Sequence, residues 1–152
     1  MATRNPVSSA QVAEHPLHPM LVPLVIGFFV GALLLDLVFW NTSDAAYATG
    51  ALWLLGFGLI AAALAAIAGA TDFFGDQQIR AITDAWHHAI GNVIVVLIEL
   101  FNFYWRYRYG PSGVLPLGLL LSVVAVAILI FTGWKGGEMV YRHRIGVIER
   151  RD

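Results

Sequence analysis

The stretch Ala85-Trp86-His87-His88-Ala89-Ile90-Gly91-Asn92 opens an apolar segment that also carries Glu99 and Asn102. An ionisable residue inside an apolar span is costly and marks function by default. With His88 set at zero on an ideal helix, Asp84 falls at about −40°, Asn92 at about +40°, Glu99 at about +20° and Asn102 at about −40°. These five polar side chains share one stripe. His87 lies about 100° away, so His88 rather than His87 is expected to point inward. Histidine is the commonest metal ligand, and two facing imidazoles also suit the axial positions of haem iron. The remaining histidines are His15, His18 and His143.

The elements that must hold these groups are membrane spans. The chain has 152 residues, of which only 12% are charged. Soluble domains carry about 25%, so this is the composition of one compact membrane bundle. There are no cysteines, which excludes disulfides, zinc fingers, thiolate-bound iron–sulfur clusters and covalent c-type haem on this chain. The net charge of −1 gives no field that would attract nucleic acid. Residues 1–14 are polar, lack an apolar core, and read as a flexible tail rather than a signal peptide.

Pro16 and Pro19 suit a helix start, and the first span runs to Asp36 and Trp40. Within it, Gly27 and Gly31 form a GxxxG step that lets helices approach closely. Asn41-Thr42-Ser43-Asp44 is a turn with a helix cap. The second span follows from Ala45 to Thr71. Its small-residue run from Ala61 to Ala70 predicts tight helix contact, and Asp72 ends it. The third span enters at Ala85 and leaves through Tyr104, Trp105, Tyr107 and Tyr109. Gly110-Pro111-Ser112-Gly113 is a turn, and the fourth span runs from Pro116 to Tyr141. No internal repeat of useful period is visible. The fold class is all-α, an up-down antiparallel four-helix bundle. The spans occupy residues 15–143, and 144–152 form a charged C-terminal tail.

Up-down threading gathers all five histidines at one end with Asp72, Asp84, Lys135, Glu138 and Tyr141. Arg4, Arg80, Lys135, Arg142, Arg144, Arg150 and Arg151 fall on that side, against Arg106 and Arg108 on the other. The excess places both termini in the cytoplasm. His18 and Asp36 share a face of span 1 but lie about 27 Å apart. They therefore belong to different clusters, and Asp36 and Glu99 are expected to pair with Arg106 or with each other.

Three functions compete. The first is a b-type haem protein for electron transfer. His88 is one axial ligand and His18 or His143 the other, Gly133 and Gly137 make room for the macrocycle, and Trp86 and Trp134 pack beside it. The second is a transition-metal site built from His18, Asp72, His88, Glu138 and His143, whose mixed nitrogen and oxygen donors suit zinc, iron, manganese or copper. The third is a non-catalytic subunit of a membrane complex. The partners are lipid, a redox partner or larger membrane complex, and a second copy of the chain. No nucleophile-elbow serine or cysteine–histidine pair marks a hydrolase.

A set of positions running along the chain also resembles a known family. It comprises His15-Pro16-x-x-Pro19, Asp36, Gly69-x-x-Asp72, Arg80, His88, and the closing Gly133-Trp134-x-Gly136-Gly137-x-x-Val140-Tyr141-x-His143-x-x-Gly146-Val147. The pattern resembles domain of unknown function 2231, a family of small bacterial predicted membrane proteins. Arg144 departs from the glycine of that pattern. The resemblance implies four membrane helices. Relatives fused to Rieske or cytochrome modules favour electron transfer.

Overall fold

The computed structural model describes residues 8–13 and 15–147. Residues 1–7, Glu14 and 148–152 lie outside the described residues. With them go the outer part of the expected tails and the charges of Arg4, Arg150 and Arg151.

The chain is all-α apart from a two-residue ladder between β1 (Gln11–Val12) and β2 (His15–Pro16). Helix α1 covers Leu17–Thr42, α2 Ala45–Gly75, the short α3 Gln77–Arg80, α4 Thr83–Tyr109 and α5 Leu119–Tyr141. Asp44 caps α2 by accepting from Ala46 N at 2.9 Å, and Asp76 does the same for α3 through Gln78 N at 2.7 Å. Among the described residues, three helical stretches are long and apolar enough to cross a membrane: Leu17–Thr42, Ala45–Gly75 and Thr83–Tyr141. The third joins what the sequence divides into two spans. Its 59 residues are nearly all helical. A turn at Gly110–Gly113 and non-helical φ/ψ at Leu115 break them. The segment doubles back there, since Lys135 reaches Asp84.

Helix α1 packs on α2 and α5, and α4 packs on α5 and α2. The core between them is built from Phe29, Ala32, Leu55, Ala62, Val95, Ala125 and Leu129. Outward faces carry large apolar side chains such as Leu24, Trp53, Ile60, Ile67 and Ile130, which suit contact with lipid rather than water.

Small residues set how closely the helices approach. A Cβ at Gly58 would lie 2.5 Å from the Phe29 ring, and one at Gly31 would lie 3.1 Å from Leu54. Gly27, its partner in the GxxxG step, has nothing within 4 Å of such a Cβ. Only one glycine of the step is therefore an internal contact. The tightest seat is at Gly91, where a Cβ would overlap Thr132 Cγ2. Overpacking of this kind costs about 1–3 kcal/mol. Gly91→Ala should lower the thermal midpoint in detergent, whereas Gly27→Ala should leave it unchanged. Equal midpoints for the two variants would contradict the packing.

Candidate functional site

His18 opens α1 and His88 lies in the second turn of α4, and their rings meet. The centroids are 5.8 Å apart and the planes are 87° from each other. His18 Nδ1 lies 2.8 Å from Ala65 O, and His88 Nδ1 lies 2.8 Å from Thr132 O. A carbonyl oxygen only accepts, so each Nδ1 carries the proton and each Nε2 presents a lone pair. The His88 lone pair accepts from Asn92 Nδ2 at 3.1 Å. Asn92 Oδ1 in turn accepts from the Thr132 hydroxyl at 3.1 Å. His87 faces outward beside the Phe131 ring, as the helical phase requires.

Each imidazole occupies room left by a glycine. A Cβ at Gly69 would lie 2.8 Å from His18 Nδ1, and one at Gly136 would lie 3.1 Å from His88 Cε1. Gly69 follows Ala65 by four residues, and Gly136 follows Thr132 by four. In a helix, residues four apart stack on one face, so the ring rests over the glycine while Nδ1–H reaches the carbonyl one turn back.

Of the site residues read from the sequence, His18 and His88 come together and the others are placed elsewhere. Asp72 accepts from Ser8 Oγ (2.8 Å), Ser9 N (2.7 Å) and Ala10 N (2.9 Å). It anchors the segment before β1. His143 Nε2 lies 3.5 Å from Asp84 Oδ2, and Lys135 Nζ donates to Asp84 Oδ1 at 2.9 Å. Glu138 pairs with Arg142 at 2.6 Å. Gly137 and Glu138 line a surface groove with Trp134 and Tyr141, and a Cβ at Gly133 would meet nothing. The room expected at Gly133 and Gly137 is therefore on the outside. Trp86 donates to Arg80 O at 2.9 Å and meets the Phe73 ring edge to face. Arg80 itself donates to the Phe73 and Phe74 carbonyls rather than pairing with Asp72.

At the other end of the helices a second polar cluster is sealed from solvent. Asp36, Glu99, Asn102 and Ser122 are fully buried, and Arg106 is 1% exposed. Arg106 binds Asp36 through both terminal nitrogens, Nη1 to Oδ1 and Nη2 to Oδ2. Its Nε donates to Asn102 Oδ1 at 2.8 Å. The Ser122 hydroxyl donates to Asp36 Oδ2 at 2.9 Å and accepts from Arg106 Nη2 at 2.9 Å. Asn102 donates to Glu99 Oε2 at 2.9 Å, and Glu99 Oε1 has no hydrogen-bond partner among the described residues. Of the two pairings read from the sequence, Asp36 makes the one with Arg106. Gly118 makes room for this guanidinium, since a Cβ there would lie 2.9 Å from Nε.

The histidine pair has the donor chemistry of a metal site. An imidazole ligand ordinarily gives its other N–H to a carbonyl or carboxylate, which fixes its tautomer and orientation. Both histidines do so. Two imidazoles on one ion, with bonds of about 2 Å, have ring centres roughly 6 Å apart, close to the observed spacing. Two imidazole nitrogens are donors of the kind that transition-metal ions take. An ion would take the Nε2 lone pair that Asn92 now occupies. Among the described residues, no group of three or more His, Cys, Asp or Glu is placed to hold a metal, so the five-ligand set read from the sequence does not assemble. The arginine-centred cluster instead has the character of a structural lock, with opposite charges neutralised in place.

Over residues 14–149 the chain matches the model of a family described as "Predicted membrane protein (DUF2231)". No curated protein and no solved structure matches it. The match extends over nearly the whole sequence, and the helices have the length and apolarity that its description requires. The chain is a membrane protein belonging to the DUF2231 family.

Proposed function

We propose that the protein is a four-span up-down bundle of the bacterial inner membrane that binds a transition-metal centre between His18 and His88 and works in electron transfer. One observation carries this reading. Two imidazoles from different helices meet with both Nδ1 atoms engaged on backbone carbonyls. That leaves Nε2 on each as the nitrogen for a metal. Haem b is the first form of the centre to test, and a bare ion such as copper, iron or zinc is the second. Haem iron, bare iron or copper held there would supply a one-electron couple, whereas zinc would not. The chain's own part is to orient the imidazoles and surround them with apolar helix.

Charge supports the orientation. Counted over the sequence, Arg4, Arg80, Lys135, Arg142, Arg144, Arg150 and Arg151 fall on the side of both termini, against Arg106 and Arg108 on the other. Both termini are then cytoplasmic, and the histidine centre lies toward the cytoplasm. A redox partner or larger membrane complex is the natural destination of the electron.

The test is loading of the full-length protein in detergent. Hemin titration should produce a Soret band and the α band of a low-spin six-coordinate haem. If hemin leaves only the spectrum of the free dye, elemental analysis should find a stoichiometric transition metal. Absence of both would overturn the metal reading and favour a structural subunit.

A further inference from the structure

The two imidazole seats are built alike, and the likeness extends through the molecule. His18 and His88 are 70 positions apart, as are Asp36 and Arg106, which meet at the opposite end. Their seats on the following helices, Ala65 with Gly69 and Thr132 with Gly136, are both 67 positions apart. The same offsets relate the buried faces. The four buried residues of α5 are Ser122, Ala125, Leu129 and Thr132. Shifted back by 67 they become Leu55, Gly58, Ala62 and Ala65, all buried in α2. Three of the four buried residues of α1, Phe29, Ala32 and Asp36, shift forward by 70 onto buried Glu99, Asn102 and Arg106. The cross contacts match too, since α1 meets α5 and α2 meets α4.

We propose that the chain is two equivalent helical hairpins, α1–α2 and α4–α5, facing each other across an approximate twofold axis, so that His18 and His88 are equivalent donors to one shared ion. Both α1 and α4 run from the histidine end to the arginine end, so the axis lies along the helices, as in parallel membrane repeats. The symmetry accounts for what each end holds. Neutral imidazoles can be identical across an axis. A buried ionic pair cannot, because two aspartates or two arginines would face each other as like charges. Asp36 and Arg106 are the equivalent positions differentiated into opposite signs. The polar groups around the Asp36–Arg106 pair sit on the second hairpin alone, at Glu99, Asn102 and Ser122, while Phe29, Ala32 and Leu55 are their apolar counterparts.

The twofold also narrows the ligand, a step that rests on the metal reading above. Tetrahedral zinc takes three or four protein ligands. A site on an axis offers two imidazoles from opposite sides, with the ion's remaining positions filled from outside this chain. That is the demand of haem iron or of a two-coordinate soft ion.

The chain has no cysteine, so pairs of introduced cysteines can carry spin labels cleanly. Leu24 and Phe131 form one exposed pair across α1 and α5, and Leu64 with Ile94 is its counterpart across α2 and α4. Pulsed electron paramagnetic resonance on full-length Leu24→Cys/Phe131→Cys and Leu64→Cys/Ile94→Cys should give coincident distance distributions. Two distributions that do not overlap would overturn the twofold. In hemin or copper titrations, His18→Ala and His88→Ala should weaken binding by the same factor, and loss in only one of them would contradict equivalence. A parent protein that binds neither would sink the metal reading, while the label distances still decide the symmetry.

Discussion

Arg106→Leu should lower the stability of the folded protein by about 3–5 kcal/mol, the cost of leaving one partner of a buried ion pair uncompensated. The Asp36 carboxylate would lose both guanidinium contacts and keep only the Ser122 hydroxyl. Asn102 would lose the donor on its oxygen. No water is available in hydrocarbon to replace them. Adding Asp36→Leu should recover much of the loss, because neutral apolar pairs often substitute for buried ionic ones without penalty. Thermal denaturation in detergent reads both. A single variant as stable as the parent would show that Arg106 reaches water and that the cluster is not sealed.

His88→Ala should abolish the six-coordinate spectrum of the hemin-loaded protein, or the stoichiometric metal if a bare ion is bound. His87→Ala should change neither. The contrast follows from phase: His88 faces His18 and Thr132, while His87 faces outward beside Phe131. Loss in His87→Ala alone would place the centre on the other face of α4. Asn92→Ala makes a useful companion. It removes the amide that occupies the His88 lone pair while leaving Nδ1 on Thr132 O, so binding should persist or tighten.

Much of this arrangement is legible in the sequence because a helix repeats every 3.6 residues. The stripe through His88, Asn92, Glu99 and Asn102 needs only that period and a membrane environment. The end at which the histidines collect needs only up-down threading. Selection among nearby partners is harder to read. Asp72, His143 and Glu138 sit at the right end, but each is taken by a group at least as close: the chain before β1, Asp84, and Arg142 one turn on. The glycines mislead for a related reason. Gly133 and Gly137 share a face of α5, but it is the outer one. Gly136, between them, backs the imidazole. Arg106 is legible as a partner for Asp36 or Glu99, and the fold gives it to Asp36 while Asn102 serves Glu99.

The hairpin repeat is hidden because equivalent positions conserve burial rather than residue type. Phe29 answers to Glu99, and Leu55 to Ser122. The chain from Arg106 to Ser122 is also three residues shorter than the equivalent stretch from Asp36 to Leu55, which changes the offset from 70 to 67. Composition and hydropathy cannot register such a pair. Seat geometry can, because a carbonyl and a glycine four residues apart recur under both histidines.

Hyperfine coupling reports whether His18 and His88 bind one metal centre together. Full-length protein carrying nitrogen-15 histidine, loaded with hemin or copper(II), should show strong nitrogen couplings from two histidines. One should vanish in His18→Ala and the other in His88→Ala. Coupling to no histidine, or to a single histidine unaffected by either substitution, would contradict the account.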